Sequence, residues 1–333
     1  MKNITFSARA LLPSAFLMIA VDFVVTAFFK EEYFRAQLEV PAILLNSLII
    51  FGLILTLLRA GKVVIFGKML HGFLVVVFSF SAGCTMVRAE RFFHFTNDAA
   101  YAPLLVYLLF GAIALYLLRN GIESTIRLTN LLFWPFFASI ILLLVANFAQ
   151  MKPENLILEP FSLTKIFRTA ANNFSVSPIL LMLLLFLQGD KAEKRQAFGK
   201  LFWALALLAI LLKTCEEMVL GEQAAQQTQI FHSLSRLGRI SVFKRMDALH
   251  VWVWSMVEFA KVALYGCMIQ KSTFHLMPEC RYPEVLTLMC LLLGLVMALF
   301  CPENWHQPIQ STSTALFAIV AAIQAKQRRK CNA

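Results

Sequence analysis

The sequence predicts an all-α polytopic membrane protein, and three observations predict it. Hydrophobic residues make up 59% of the chain, charged residues only 15%, and apolar runs long enough to cross a bilayer recur from end to end. Mean hydropathy is +0.72, far above that of a soluble globular chain. A spanning helix takes roughly 20 apolar residues plus a short connection. The 333 residues therefore hold about ten transmembrane helices with no room for a soluble domain. One permease-like domain, residues 1–333, is expected.

Apolar runs bounded by charges or proline place the first five spans at residues 7–29, 39–58, 63–87, 100–118 and 130–149. The second five fall at 174–188, 198–220, 247–269, 284–301 and 308–325. The first run follows only Lys2 and Arg9 and carries no small-residue cleavage site after it, so it reads as a retained helix. With the N-terminus inside, 16 Lys and Arg fall on the inner side, 11 on the outer side and 3 within spans, which predicts cytoplasmic termini. The outer connections Gln150–Asn173 and Gly221–Met246 each exceed twenty residues and have helix-compatible polar sequence. Connections of that length are expected to fold back onto the bundle.

The net charge of +11 follows this topology, since basic residues collect at segment ends, as in Asp190 to Lys200 and Lys326 to Lys330. No soluble surface interleaves them with aromatics, so the lipid bilayer is the expected partner and nucleic acid is not. Cysteines stand alone at positions 84, 215, 267, 280, 290, 301 and 331, without a CxxC pair or a histidine at zinc-like spacing. They read as packing residues and free thiols, and no metal or cofactor is expected. The chain has no GxSxG, HExxH or Walker glycine loop, so hydrolysis, nucleotide-driven transport and enzyme activity generally are not expected.

A five-plus-five count suggests the inverted-repeat architecture of secondary transporters, where the first helix of each half is broken at the midplane around substrate. Span six begins with Asn172, Asn173, Phe174, Ser175, Val176, Ser177 and Pro178, a polar patch ending in a residue without a backbone donor. Its backbone with Ser175 and Ser177 is a candidate site for a ligand carboxylate at a half-helix N-terminus. The alternative is a serine-rich helix start with proline in its first turn. Span one has no glycine, so unwinding it would be costly, but it carries Asp22. An intramembrane carboxylate usually faces a cavity or a partner, and Asp22 is a candidate counter-ion for a ligand amine or a proton carrier. Alternatively, lying eight residues before Lys30, it is solvated or paired near the interface. Lys213 with Glu217, and Glu258 with Lys261, are four and three residues apart and read as self-neutralising pairs on single helix faces. His71 reads as a lone, hydrogen-bonded packing residue.

The stretch Ser241-Val-Phe-Lys-Arg-Met-Asp-Ala-Leu-His-Val-Trp-Val-Trp-Ser-Met-Val-Glu-Phe-Ala-Lys resembles the eighth-helix signature of the endospore germination permeases, the B subunits of nutrient germinant receptors. Phe243, Arg245, Asp247, Trp254 and Lys261 carry that resemblance. A second segment, Leu118-Arg-Asn-Gly-Ile-Glu-Ser-Thr-Ile-Arg, resembles the link between the family's fourth and fifth helices through Gly121, Glu123 and Arg127. The likeness covers residues 60–325. Physically, Arg245 and Asp247 suit the outer membrane boundary, and Trp252 and Trp254 suit an interfacial belt.

The resemblance implies the fold of the amino acid, polyamine and organocation transporters. It also implies a place in the spore inner membrane, alongside receptor A and C subunits, and sensing of a small germinant such as an amino acid. Residues 1–51 and 152–188 lack the glycines that family members and their transporter relatives generally carry in helices one and six. Two alternatives stay open beside the sensor: an ion-coupled amino-acid permease, and a divergent structural subunit without a working ligand site.

Overall fold

The computed structural model describes residues 6–26, 35–59, 68–96, 102–156, 162–172, 174, 176–181, 190–227, 230–238 and 247–331. The main helices are α1 (Ala8–Thr26), α2 (Ala36–Arg59), α3 (Lys68–Thr96) and α4 (Pro103–Asn147). A short α5 (Leu163–Asn172) leads to α6 (Lys191–Leu220) and a short α7 (Ile230–Leu237). Then come α8 (Asp247–Leu276), α9 (Pro283–Phe300) and α10 (Glu303–Cys331). Among the described residues, six helices are long and apolar enough to cross a membrane. They are residues 36–55, 68–94, 103–150, 192–224, 247–276 and 283–300.

The fourth and fifth expected spans form one continuous element, broken in geometry only at Gly121, whose φ of 81° and ψ of 171° are not helical. A straight helix of 45 residues would run for about 68 Å, more than twice the ~30 Å hydrocarbon core, so the chain has to turn. The packing shows that it reverses. Phe110 packs beside Phe259 of α8 and Leu118 lies against Gly266, yet Thr125, seven residues on, is beside the adjacent Cys267. The first arm therefore advances along α8 and the second returns. Hydropathy predicts a link over residues 119–129, but most of that stretch is the first turns of the returning arm. The Gly121 conformation belongs to a region of backbone space that is essentially open to glycine alone, which gives this family-like glycine a physical reason.

α3 and α8 form the centre. Their apolar windows are 78% and 89% buried, against 28–44% for the other crossing helices. The outer helices turn large apolar side chains outward, such as Leu104, Leu131, Trp134, Leu292 and Phe300. Buried polar groups collect on the central pair: Ser79, Ser81, Thr85 and Arg88 on α3, and His250, Glu258, Lys261 and Gln270 on α8. This distribution suits a bundle in lipid, where the solvent is apolar and polar groups find partners inside.

α9 presses onto α3 through two glycines. A Cβ on Gly83 would run into the carbonyl of Gly294, and one on Gly294 into the carbonyl of Ser79. Small residues allow this backbone approach, which supplies the van der Waals contact that holds helices together in lipid.

The described parts of both long connections fold back, as expected. Lys152 donates its backbone N–H to Met218 at 3.0 Å, and Asn155 Nδ2 donates to the same carbonyl at 2.8 Å. Asn46 Nδ2 on α2 donates to Ala170 of α5 at 2.8 Å, and Asn147 Nδ2 donates to Leu234 of α7 at 3.1 Å. α6 begins with a capping box, in which Asp190 Oδ1 accepts from the Glu193 N–H at 2.8 Å and Glu193 Oε2 accepts from the Asp190 N–H at 3.2 Å.

Candidate functional site

Asp22 lies near the end of α1, which is helical from Ala8 to Thr26 in keeping with its lack of glycine. Its side chain is 19% exposed and meets two cations from other helices. Lys261 Nζ of α8, fully buried, donates to Oδ1, and Arg88 of α3 reaches the same oxygen at 3.2 Å. The hydroxyl of Ser177 is 3.5 Å from Oδ2. Asp22 is therefore paired, and its partners come from other helices: it ties α1 to α3 and α8.

Glu258 completes the group, with Oε2 at 4.0 Å from Lys261 Nζ. The expected Glu258–Lys261 pair is present at that outer distance, and the lysine also reaches across to Asp22. Neither Glu258 oxygen accepts a hydrogen bond, and the Nε–H groups of Arg88 and Trp254 find no acceptor. All three residues are buried. Trp254 and Glu258 are four apart on α8 and share one face, and the charges of Arg88 and Glu258 act on each other. Buried groups without partners are rare and ask for an explanation.

Span six is described only at residues 174 and 176–181, and this start of it supplies the other wall. Ser177 Oγ accepts from the Ile179 N–H at 3.4 Å, and the Val176 N–H donates to Ser311 of α10 at 3.1 Å. Pro178 is buried and opens the helical residues 179–181, while Phe174 packs half-buried on the core. Ser175 lies outside the described residues, as do Phe243 and Arg245. A cavity of about 70 Å³ beside Ser177 is lined mostly by apolar side chains, among them Ile19, Ile54 and Leu180.

The remaining motif residues are elsewhere. Glu123 and Arg127 form an exposed pair at 3.8 Å just after the Gly121 turn. Asp247 opens α8. Trp252 is exposed, but Trp254 is only 2% exposed and packs on Phe92 and His250, which corrects its assignment to an interfacial belt. His71 is not alone, since it stacks on His275 with centroids 4.5 Å apart. Among the described residues no group of His, Cys, Asp and Glu is arranged to hold a metal ion.

A second ionic cluster joins α2 to α6. Lys213 Nζ lies 2.7 Å from Glu39 and 2.6 Å from Glu216, and all three are buried. Glu217 pairs with Arg35 at 3.8 Å and accepts the backbone N–H of Ala36. The expected Lys213–Glu217 pair is thus replaced by two separate sets of partners. One helical position decides this, because Glu216 and Glu217 point to different neighbours.

Fold and site together define an integral membrane protein, a helical bundle with a charged interior. A family model described as spore germination protein matches residues 54–307, about three quarters of the chain. The chain belongs to this spore germination permease family, as the eighth-helix and Gly121 segments suggested. The match takes in Arg88, Glu258 and Lys261 and stops short of Asp22. No curated protein matches the chain.

Proposed function

We propose that this chain is the permease-like subunit of a germination receptor in the spore inner membrane, where it senses a small zwitterionic nutrient, an amino acid. The observation that carries this reading is the set of unmet groups at the charged centre. Glu258 offers two free acceptors, and Arg88 and Trp254 each offer a free Nε–H donor. An ammonium beside a carboxylate complements such a set: the amine serves Glu258 and the carboxylate serves Arg88 and Trp254. Asp22 then acts as a positioning residue, holding Lys261 and Arg88 in place. Ser177 and the turn at Pro178 close the site from the side.

In this reading the bundle has the five-plus-five arrangement of transporters, keeps both termini in the cytoplasm and performs no covalent chemistry. Ligand binding favours one packing of α1 against α3 and α8, and the receptor A and C subunits read that bias. The test is a thermal-shift screen of the detergent-solubilised protein against amino acids, nucleosides and sugars. A ligand that binds the native state raises its stability. A shift given by an amino acid and lost in Glu258→Gln supports the site; an unchanged shift in that variant removes it.

A second reading, a divergent subunit without a ligand, is favoured by two observations. Asp22 is already occupied by internal cations, and the adjacent cavity of about 70 Å³ is well below the roughly 300 Å³ at which small-molecule sites begin. It predicts no shift with any compound in a folded sample. A gradient-driven accumulation of amino acid in vesicles would instead favour an ion-coupled permease.

A further inference from the structure

Outside the charged centre, a shallow groove, open over most of its face, lies at the start of α6. Arg195, Gln196, Gly199, Lys200 and Trp203 line it from α6, and Phe51 lines it from α2. At about 100° per residue the α6 positions spread over one broad face about 140° wide, with Arg195 and Lys200 at its two edges and Gly199 and Trp203 between them. Arg195 and Lys200 are exposed and enter no ion pair among the described residues. Gly199 leaves the floor open, since a Cβ there would meet nothing within 4 Å. The capping box of Asp190 and Glu193 already serves the helix end, so the positive charge of the groove comes from side chains.

The same face turns apolar further along α6. Trp203 is 63% exposed, Leu207 67% and Leu211 42%. From Lys200 to Leu211 the helix rises ~16 Å, close to half of the ~30 Å hydrocarbon core. Basic side chains thus stand at one end of a crossing helix, an indole follows at interfacial depth, and a bare aliphatic track leads into the bilayer. This sequence of chemistries complements a lipid with a negative headgroup.

We propose that the groove binds an anionic phospholipid, its phosphate between Arg195 and Lys200 and one acyl chain along Trp203, Leu207 and Leu211. Purified protein is equilibrated with mixed phosphatidylglycerol and phosphatidylcholine, and the retained lipid is read by native mass spectrometry. The expected result is preferential retention of phosphatidylglycerol, with the preference falling about fivefold for each of Arg195→Gln and Lys200→Gln. The paired control Arg119→Gln with Arg127→Gln, basic residues at the α4 turn, keeps the preference. A melting curve matching that of the native protein shows each variant folded, as expected for exposed positions. Equal retention of the two lipids by the native protein overturns the proposal, and so does undiminished preference when Arg195→Gln and Lys200→Gln are combined. Displacement by millimolar inorganic phosphate alone would assign the groove to free anions and also overturn it.

Discussion

The two buried ionic clusters use the same residue types for different ends. Around Lys213, a cation sits within 2.7 Å of two carboxylates, and Glu217 finds Arg35 and a backbone N–H. Around Asp22, two cations crowd one carboxylate while Glu258, one turn of α8 away from Lys261, accepts no hydrogen bond. A compact, paired cluster rigidifies a helix contact. One that leaves a buried carboxylate and two donors unmet stores a demand that a ligand can meet. The difference teaches where to look for function in a bundle full of charges: at the carboxylate whose paired lysine is 4.0 Å away, since those with a cation within 2.7 Å already have a structural role.

Five substitutions and one double-mutant cycle break or sharpen this contrast. Lys213→Met should have the largest effect on stability, because it leaves Glu39 and Glu216 buried without their cation; a loss of about 3–5 kcal/mol is expected. Thermal melting in detergent reads it, and a melting temperature near that of the native protein would refute the structural role. Lys261→Met should cost less, about 1–3 kcal/mol, since Asp22 keeps Arg88. A double-mutant cycle with Asp22→Asn measures the coupling, which should exceed about 0.5 kcal/mol for groups in direct contact.

Glu258→Gln reverses the ordering of the two readouts. Removing a charge that accepts no hydrogen bond should change stability by less than about 1 kcal/mol while abolishing the ligand-induced shift. The matching Glu39→Gln change should lower the melting temperature and leave any ligand shift intact; loss of the shift in both variants would erase the distinction between the clusters. Ser177→Ala is expected to be mildest. Its hydroxyl lies 3.5 Å from Asp22 and accepts a long bond from Ile179, so a few tenths to about 1 kcal/mol is at stake. A germination dose response displaced by no more than severalfold would agree with a supporting position.

Asp22, Glu258 and Lys261 are legible in the amino-acid sequence because charge inside an apolar run is expensive. Arg88 is not, because the third apolar run ends at residue 87, whereas α3 continues to Thr96 and carries Arg88 inward. A helix does not end where hydropathy falls, and Ala89 through Phe93 offer no breaker. Glu39 and Glu216 escape for a similar reason: one opens a run, and the other is overshadowed by the four-residue spacing of Lys213 and Glu217. The break at Gly121 is visible as a motif but not as a reversal, since only φ at that residue and its neighbours on α8 distinguish a bend from a straight helix.

The sequence by itself determined that the chain is helical and lives in a membrane, because composition and run length decide the solvent a chain can tolerate. It also carried the family, through short segments whose residues keep their identity wherever they fold. Which charges meet was decided only by tertiary structure. Spacing rules reach three or four residues along one helix, whereas Lys261 finds its partner 239 residues away on α1. That choice depends on how α1, α3 and α8 cross, and the crossing depends on packing contacts such as those at Gly83 and Gly294, which no single helix contains.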